Sequence, residues 1–591
     1  MVQLKGVVDA SEMSMYEVLR LSRDFRPEGA AYSYLGVGAN YAEFLEQVDR
    51  VSLCYRGLGI SEGDRVVICL PNCPQALISF YALNRLGAVS VMVHPLSSAS
   101  EIAGFIEDCG AKAAITIGMF VGNFPQITEG STLRTLIVTS PVDPLPAAKA
   151  AIAKMLKKEA KVPRIEKGSG MIYWKDFLKA GASQPDGTFP EVSADDPASI
   201  LYTGGTTGIN KGAVHTNRAF NTSAMAMTIA SGLKESDGTR MLANLPMFHG
   251  FGLVTCFHIP VLMAVECVLM PTFSVEQICD VIRKERINYI AGVPNLFGKI
   301  IENGSMQNAD LSSIAGVFCG GDSIASADKR RFDEFLKAHG SKTFMRVGYG
   351  STEVLAAVSL TDRYEELTGS CGLPLPGFSL KVVREGTTEE LPRGEYGEIC
   401  IAGPSVMQGY LNNEEETAAV LKRHDDGKVW FHTGDAGYMD DDGHLYFVNR
   451  IKRIIVTSGY NVYPSQIEGI INEDERVMSS CVIGVPDKQR GEKVVAFIVP
   501  KEDIPSTDEL LRTISERVEN NIVSYARPRD YRIIDKMPRT KLYKIDFRQL
   551  EKDYLGTESE RCTGIEPKDG ERQSSVVLWR KPGFLESICT K

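Results

Sequence analysis

The chain has 591 residues, too many for one ordinary hydrophobic core, so at least two domains are expected. Hydrophobic residues make up 43% and charged residues 24%, which excludes a disordered or fibrous chain. The formal net charge of −10 argues against nucleic acid as a partner. Thirteen cysteines with no C-x-x-C pair give neither a zinc site nor a disulfide framework, so reduced thiols and a cytoplasmic setting are expected.

The start, MVQLKGVVDASEMSMYEVLR, lacks a basic stretch followed by an apolar run, so no secretory signal is expected. Helical patterns then alternate with short apolar runs: YAEFLEQVDRVSLCYRGLGI, DRVVICLP, PQALISFYALNRLG and VSVMVHP, with KAAITIG, TLRTLIVTS and INYIAGVP continuing the rhythm. Helices separated by buried-type strands predict an α/β fold with crossover connections. Between 141 and 190 the pattern breaks into a Lys/Ala-rich stretch, and this segment is expected to be a surface insertion. The longest apolar run, Leu253 to Pro271, is interrupted by His258, Pro260 and Glu266, so no transmembrane segment is expected, while peripheral membrane contact stays open. After Lys452 come RIIVTSG, PSQIEGIINED, SCVIGVP, KVVAFIVP, TDELLRTISERVENN and DYRIIDK, which predict a second, smaller α+β domain. The expected boundaries are 1–450 for the large domain, 453–555 for the small one, and a polar, disordered tail over 556–591.

Within this frame lies Tyr202-Thr-Gly-Gly-Thr-Thr-Gly-Ile-Asn-Lys-Gly212, with four Gly, three Thr and one Lys in eleven residues. Glycines let backbone N–H groups turn onto a phosphate, hydroxyls add donors, and Lys211 supplies a point charge. A Walker A loop is excluded, because Asn210 precedes the Lys and Gly212 follows it. Phe344-Met-Arg-Val-Gly-Tyr-Gly-Ser-Thr-Glu353 is a strand-like run into a Gly turn, where Glu353 can be either a Mg²⁺ ligand or an early helix Glu beside its cap. In Trp430-Phe-His-Thr-Gly-Asp435, Asp435 can accept from ribose hydroxyls or close a β-turn. The basic run Asn449-Arg-Ile-Lys-Arg453 sits at the change of domain, and Pro538-Arg-Thr-Lys-Leu-Tyr-Lys-Ile545 is a second basic loop. Gly320-Gly-Asp-Ser-Ile324 looks like a carrier-protein attachment signature, but no helical bundle surrounds it, so no carrier function is assigned.

These segments in this order, over roughly residues 10 to 551, resemble the adenylate-forming superfamily of acyl-CoA synthetases, luciferases and peptide-synthetase adenylation domains, and long- and medium-chain fatty acyl-CoA synthetases in particular. The resemblance implies a large N-terminal domain of layered α/β sheets and a small mobile α+β C-terminal domain. It implies phosphate binding of ATP by Thr203, Gly204, Gly205, Thr206, Thr207, Gly208 and Lys211, and nucleotide contacts from Gly321, Asp322, Tyr349 and Gly350. Thr352 matches the phosphate-contacting Thr and Glu353 the Mg²⁺ ligand, with Thr207 a second oxygen donor to the metal. Asp435 and Arg450 match the ribose ligands, Lys452 the hinge, Gly459 the pantetheine channel of CoA, and Lys544 the catalytic lysine. The acid pocket is expected at Phe248, His249, Gly292 and Gly320, lined for a fatty or aromatic acid. The implied activity is that of an acid–thiol ligase using Mg²⁺, ATP and CoA on a small-molecule carboxylic acid. An adenylating oxidase, an adenylation enzyme loading a carrier protein, an aryl-acid CoA ligase and a non-catalytic nucleotide-binding relative stay open beside it.

Overall fold

The computed structural model describes residues 10–146, 164–166, 168–181, 188–203, 210–233, 238–271, 274–364, 367, 369–458, 460–487, 489–501, 506–540 and 545–561. Three sheets organise the first three-quarters of the chain. The first runs Gly409–Tyr410, Lys211–Thr216, Pro197–Thr203, Val89–Met92, Arg65–Cys69, Ala113–Ile117, Thr135–Thr139, Met171–Tyr173. Its central strands pair in parallel and are buried almost throughout, which is why RVVIC and AAITI read as continuous apolar runs. Pro74–Arg85 and Ala99–Cys109 are the crossover helices between these strands, and the second opens on a capping box of Ser98 with Glu101.

The second sheet runs Leu373–Pro374, Ala357–Leu360, Met345–Gly350, Gly316–Cys319, Tyr289–Gly292, Arg240–Ala243, Glu266–Leu269, Ala30–Tyr34, Val37–Asn40. The five strands from Met345–Gly350 to Glu266–Leu269 are mutually parallel, so their C-terminal ends share one edge. The third sheet orders Ser379–Val383, Gly397–Ala402, Val429–Met439, Leu421–Arg423, with Leu445–Arg450 also paired to Val429–Met439. By packing, the chain divides into one unit of residues 1–395, 399–433 and 439–446, and another of 396–398, 434–438 and 447–591.

The second unit is built on the long hairpin of Val477–Asp487 and Gly491–Pro500. Side chains alternate across a strand, so its two faces bury separate clusters. Val482, Val494, Ala496 and Ile498 pack under Ile467, Ile471, Leu510, Ile514 and Val518 of the helices Pro464–Asn472 and Thr507–Asn521. Cys481, Ile483, Val495, Phe497 and Val499 pack under Leu550 and Tyr554.

That second face accounts for one departure from the sequence expectation. A disordered tail is expected from 556, but the last helix, Phe547–Arg561, runs five residues beyond 556; its Leu550 and Tyr554 cover the hairpin's other face. Residues 562–591 lie outside the described residues. A second departure is the expected surface insertion at 141–190. Within it Met171–Tyr173 is an edge strand of the first sheet, paired in parallel with Thr135–Thr139. The helix Trp174–Gly181 buries Phe177, whose ring lies 5.0 Å from that of Tyr55. Gly181 lies so close to the helix Tyr41–Gly57 that an added Cβ would fall 1.9 Å from Cys54 Sγ. The stretch 147–163, most of the Lys/Ala-rich run, is outside the described residues.

The apolar run from Leu253 divides into a π-helical stretch to His258, a helix Ile259–Met263 and a strand Glu266–Leu269. Among the described residues no helix is long and apolar enough to cross a membrane.

Candidate functional site

In open α/β sheets, ligands settle outside the carboxyl ends of the strands. In the first unit, register pairs Gly292 with Cys319 and Cys319 with Val347, which sets Gly292, Gly320 and Gly348 side by side at that edge. The Gly320 N–H donates to the Gly292 carbonyl at 3.1 Å. A Cβ on Gly320 would stand 3.4 Å from the Gly348 carbonyl and 3.6 Å from the Phe251 ring, so the aromatic edge of Phe251 faces this wall. At Gly292 the same atom would stand 2.9 Å from both Leu296 and Phe297, so this glycine lets the helix Pro294–Glu302 approach its strand. Gly321 adopts φ of 80°, and Asp322 is exposed, its carboxylate accepting from the Ser323 N–H at 2.9 Å.

Phe248 and His249 are half-buried beside this edge. The Phe248 ring lies 4.3 Å from that of His94, and His249 Nδ1 accepts from the Phe251 N–H at 3.3 Å, closing the turn Gly250–Gly252. Gly250 meets the Leu355 carbonyl so closely that a Cβ would fall 1.7 Å from it, and Leu355 itself holds a left-handed φ of 71°. Such strained backbone at a non-glycine residue concentrates at functional turns. Thr352 and Glu353 form that turn, directly after buried Tyr349 and exposed Gly350. At Gly350 a Cβ would fall 1.8 Å from the Ala356 carbonyl.

Thr203 ends one strand and Lys211 begins the next, and the two are paired across an antiparallel ladder. The glycine/threonine segment is therefore a hairpin connection with its ends clamped together. Gly204, Gly205, Thr206, Thr207 and Gly208 lie outside the described residues. Lys211 Nζ pairs with the Glu416 carboxylate and sits 4.8 Å from the Tyr410 ring. The Tyr410 hydroxyl donates to Glu353 Oε1 at 2.9 Å. Glu416 and Tyr410 thus tie the loop lysine to the carboxylate read as a metal ligand. The Thr352 carbonyl accepts from His215 Nε2 at 2.8 Å, and the Glu353 carbonyl from the Met407 N–H at 2.8 Å. Three donors from distant parts of the chain therefore fix the Thr352–Glu353 turn.

In the second unit, Asp435 is 3% exposed and its Oδ1 lies 2.9 Å from Arg450 Nε, an ion pair whose Arg side chain is 46% exposed. Gly434 holds φ of 68° and donates its N–H to Glu398 Oε1 at 3.0 Å, which fixes the turn just before the carboxylate. Lys452 is exposed in the single turn Ile451–Arg453, next to Arg453, which is anchored on Glu468 at 2.7 Å. Gly459 and Lys544 lie outside the described residues.

A sequence model described as "AMP-binding enzyme" matches residues 22–411, and one described as "AMP-binding enzyme C-terminal domain" matches 466–544. The chain belongs to the AMP-binding enzyme family. A long-chain-fatty-acid–CoA ligase of Bacillus subtilis (strain 168) is 31% identical over 531 residues, spanning 89% of this chain and 91% of that protein. A 4-coumarate–CoA ligase 2 of Oryza sativa subsp. japonica is 31% identical over 520 residues, 85% of each chain. The structure of an anthranilate CoA ligase in complex with anthranoyl-AMP superposes with a TM-score of 0.78 at 22% identity, covering 93% of this chain and all of that one, which shows a shared fold.

His215, Tyr410 and Glu416 carry no signal in the sequence of this AMP-binding enzyme. Glu416 ends the run Glu414-Glu-Glu416 at the start of a helix, where acidic residues are ordinary. His215 is fully buried, and burial pushes its imidazole down to about 4, opposed by the bond to the Thr352 carbonyl. His258 is also buried, between the Tyr81 hydroxyl at 2.9 Å and Asn221 Oδ1 at 2.8 Å, and burial pushes it down to about 3.

Both groups are neutral in the folded protein, whereas in the unfolded chain they take up protons near the ordinary value of about 6.5. Their contribution is complete above that pH and is lost as pH falls toward 4, at about 1.4 kcal/mol per pH unit for each group. The His258→Gln variant is expected to lose stability less steeply than the parent between about pH 6 and 5, by about that slope. Denaturant melts across that interval measure it, and equal slopes would contradict the assignment.

Proposed function

We propose that this AMP-binding enzyme is an AMP-forming acyl-CoA synthetase that acts on a fatty acid. The reading rests on one arrangement above all: a clamped Gly/Thr hairpin whose Lys211 is tied through Glu416 and Tyr410 to Glu353, at the carboxyl edge of a parallel sheet. The similarity to the fatty-acid ligase over 89% of the chain supports the choice of acid. The rice relative supports a second reading, an aryl-acid CoA ligase, with Phe251 beside Gly320 as the aromatic wall.

In the first half-reaction a carboxylate oxygen of the acid attacks the α-phosphorus of ATP, the bond from that phosphorus to the bridging oxygen breaks, and pyrophosphate leaves. In the second, the CoA thiol gives up its proton and its sulfur attacks the acyl carbon, the bond to the phosphate oxygen breaks, and AMP leaves. Neither step needs a protein nucleophile, so positioning and charge stabilisation do the chemistry. The hairpin N–H groups from Thr203 to Gly208 and Lys211 hold the β and γ phosphates, Thr352 contacts phosphate, and Gly321, Asp322, Tyr349 and Gly350 frame the nucleotide. Asp435 accepts from the ribose hydroxyls, with Arg450 orienting it, and Lys544 meets the charge growing on the α-phosphate. Phe248, His249, Gly292 and Gly320 border the acid, Gly459 lines the way for pantetheine, and Lys452 is the point about which the C-terminal part turns.

The half-exposed Glu353 and Thr352 offer hard oxygen donors of the kind Mg²⁺ takes, with Thr207 as a further donor. When bound, the ion neutralises phosphate charge. A cytoplasmic setting is supported by the eleven described cysteines, all of which are free thiols.

Because Lys211 is held by Glu416, phosphate must displace that carboxylate. An exchange of partners at a part-exposed pair is worth at most about 1 kcal/mol. Glu416→Gln is accordingly expected to lower the KM for ATP by about 2- to 5-fold, with kcat little changed. A raised KM would show that Glu416 supports the lysine instead of competing for it. For the reaction itself, exchange of labelled pyrophosphate into ATP is expected with a fatty acid and without CoA; exchange that ignores the acid would overturn the first half-reaction.

A further inference from the structure

Cys400, His424 and His432 meet on one face of the third sheet, and none of the three is given a role above. Cys400 lies on the strand Gly397–Ala402, His432 on its neighbour Val429–Met439, and His424 directly after the next strand, Leu421–Arg423. Cys400 is fully buried and both histidines are 4% exposed. The two imidazoles present their Nε2 atoms to each other at 2.9 Å, and one ligand atom from each of the three residues lies within 4.8 Å of the other two. His424 Nδ1 is buried and has no hydrogen-bond partner among the described residues.

A purely structural histidine pair is a poor account of this cluster. Each neutral imidazole has one N–H and one lone pair. The shared contact leaves His424 Nδ1 without a partner, and a buried polar atom in that state costs about 1–3 kcal/mol. Around the cluster, Trp430 lies 5.8 Å from the His424 ring, Lys381 Nζ sits 4.2 Å over Trp430, and Asp426 accepts from the Trp430 indole at 3.0 Å. Lys381 and Lys422 are the cationic groups nearby, and Asp426 is the anionic one.

We propose that Cys400, His424 and His432 are three ligands of a divalent, thiophilic cation, with Zn²⁺ the best match. A thiolate with two imidazoles is a zinc donor set, and the tetrahedral edge between two nitrogens at zinc is roughly 3.3 Å, a few tenths beyond the observed contact. Binding releases the Cys400 proton to solvent, and the fourth position falls to a ligand from outside these three residues. The ion would staple the hairpin that carries His424 and His432 to the strand that carries Cys400. Sequence spacing hides the site, because its ligands come from two strands and from the turn after a third.

The test uses the full-length protein, purified without chelator, then stripped and titrated with Co²⁺. One equivalent per chain is expected, with visible bands of tetrahedral cobalt and a near-ultraviolet thiolate charge-transfer band. Cys400→Ser should abolish the charge-transfer band. His424→Asn should weaken binding by more than the roughly 10- to 100-fold that follows loss of a residue merely supporting a ligand. Zn²⁺ should raise the melting temperature of the parent protein and leave that of Cys400→Ser unchanged. Absence of cobalt absorption in the parent protein, or an equal band in Cys400→Ser, would overturn the proposal; the first readout needs no variant to fold.

Discussion

Replacing Lys544 by alanine is expected to slow formation of the acyl-adenylate by on the order of 10²- to 10³-fold, the range for losing one preorganised donor to developing charge. The reason is the shape of the first half-reaction. Negative charge builds on the α-phosphate as the acid's carboxylate attacks, and a lysine ammonium is the compact point charge suited to it. In the second half-reaction the charge develops at an acyl carbon instead. Thioester formation from supplied acyl-AMP and CoA should therefore keep nearly its full rate. Single-turnover assays of each half-reaction separate the two. Equal losses in both would remove Lys544 from the adenylation step and point to a general structural role.

The second large effect is expected at Asp435. This carboxylate is 3% exposed and paired to Arg450 at 2.9 Å. Bonds from ribose hydroxyls to a charged acceptor contribute about 1.5–3 kcal/mol, so Asp435→Ala should lower kcat/KM for ATP by on the order of 10- to 100-fold. Asp435→Asn keeps an acceptor oxygen but not the charge, and should fall between parent and alanine variant. The same loss should appear in the parent enzyme when ATP is replaced by its 2′,3′-dideoxy analogue, and should not be repeated when variant and analogue are combined. Fully additive losses would show that Asp435 acts on something other than the ribose.

Much of the fold was legible because its elements announce themselves locally. RVVIC and AAITI are buried strands, and PQALISFYALNR is a helix that crosses between parallel strands. What escaped was either too short or satisfied at a distance. Met171–Tyr173 has three residues, too few to show a period, so the segment around it read as an insertion. The helix Phe547–Arg561 is weakly patterned; its need is written instead in KVVAFIVP, which is apolar on both faces and so must be covered twice.

At the site, contiguous motifs showed the hairpin and the Thr352–Glu353 turn. Their partners did not show, since Glu416 lies 205 residues from Lys211, Tyr410 57 from Glu353, and His215 137 from Thr352. A glutamate in an acidic helix start or a histidine in an apolar strand acquires its meaning from the partner that tertiary structure brings to it. The same reason hid the Cys400, His424 and His432 cluster.

The most direct test of the account is AMP release from Mg·ATP against acetate, octanoate, palmitate and a cinnamate-type acid, each with and without CoA. The account predicts AMP formation that requires both acid and CoA and is greatest with a fatty acid. AMP formation indifferent to CoA, or a clear preference for acetate, would contradict it.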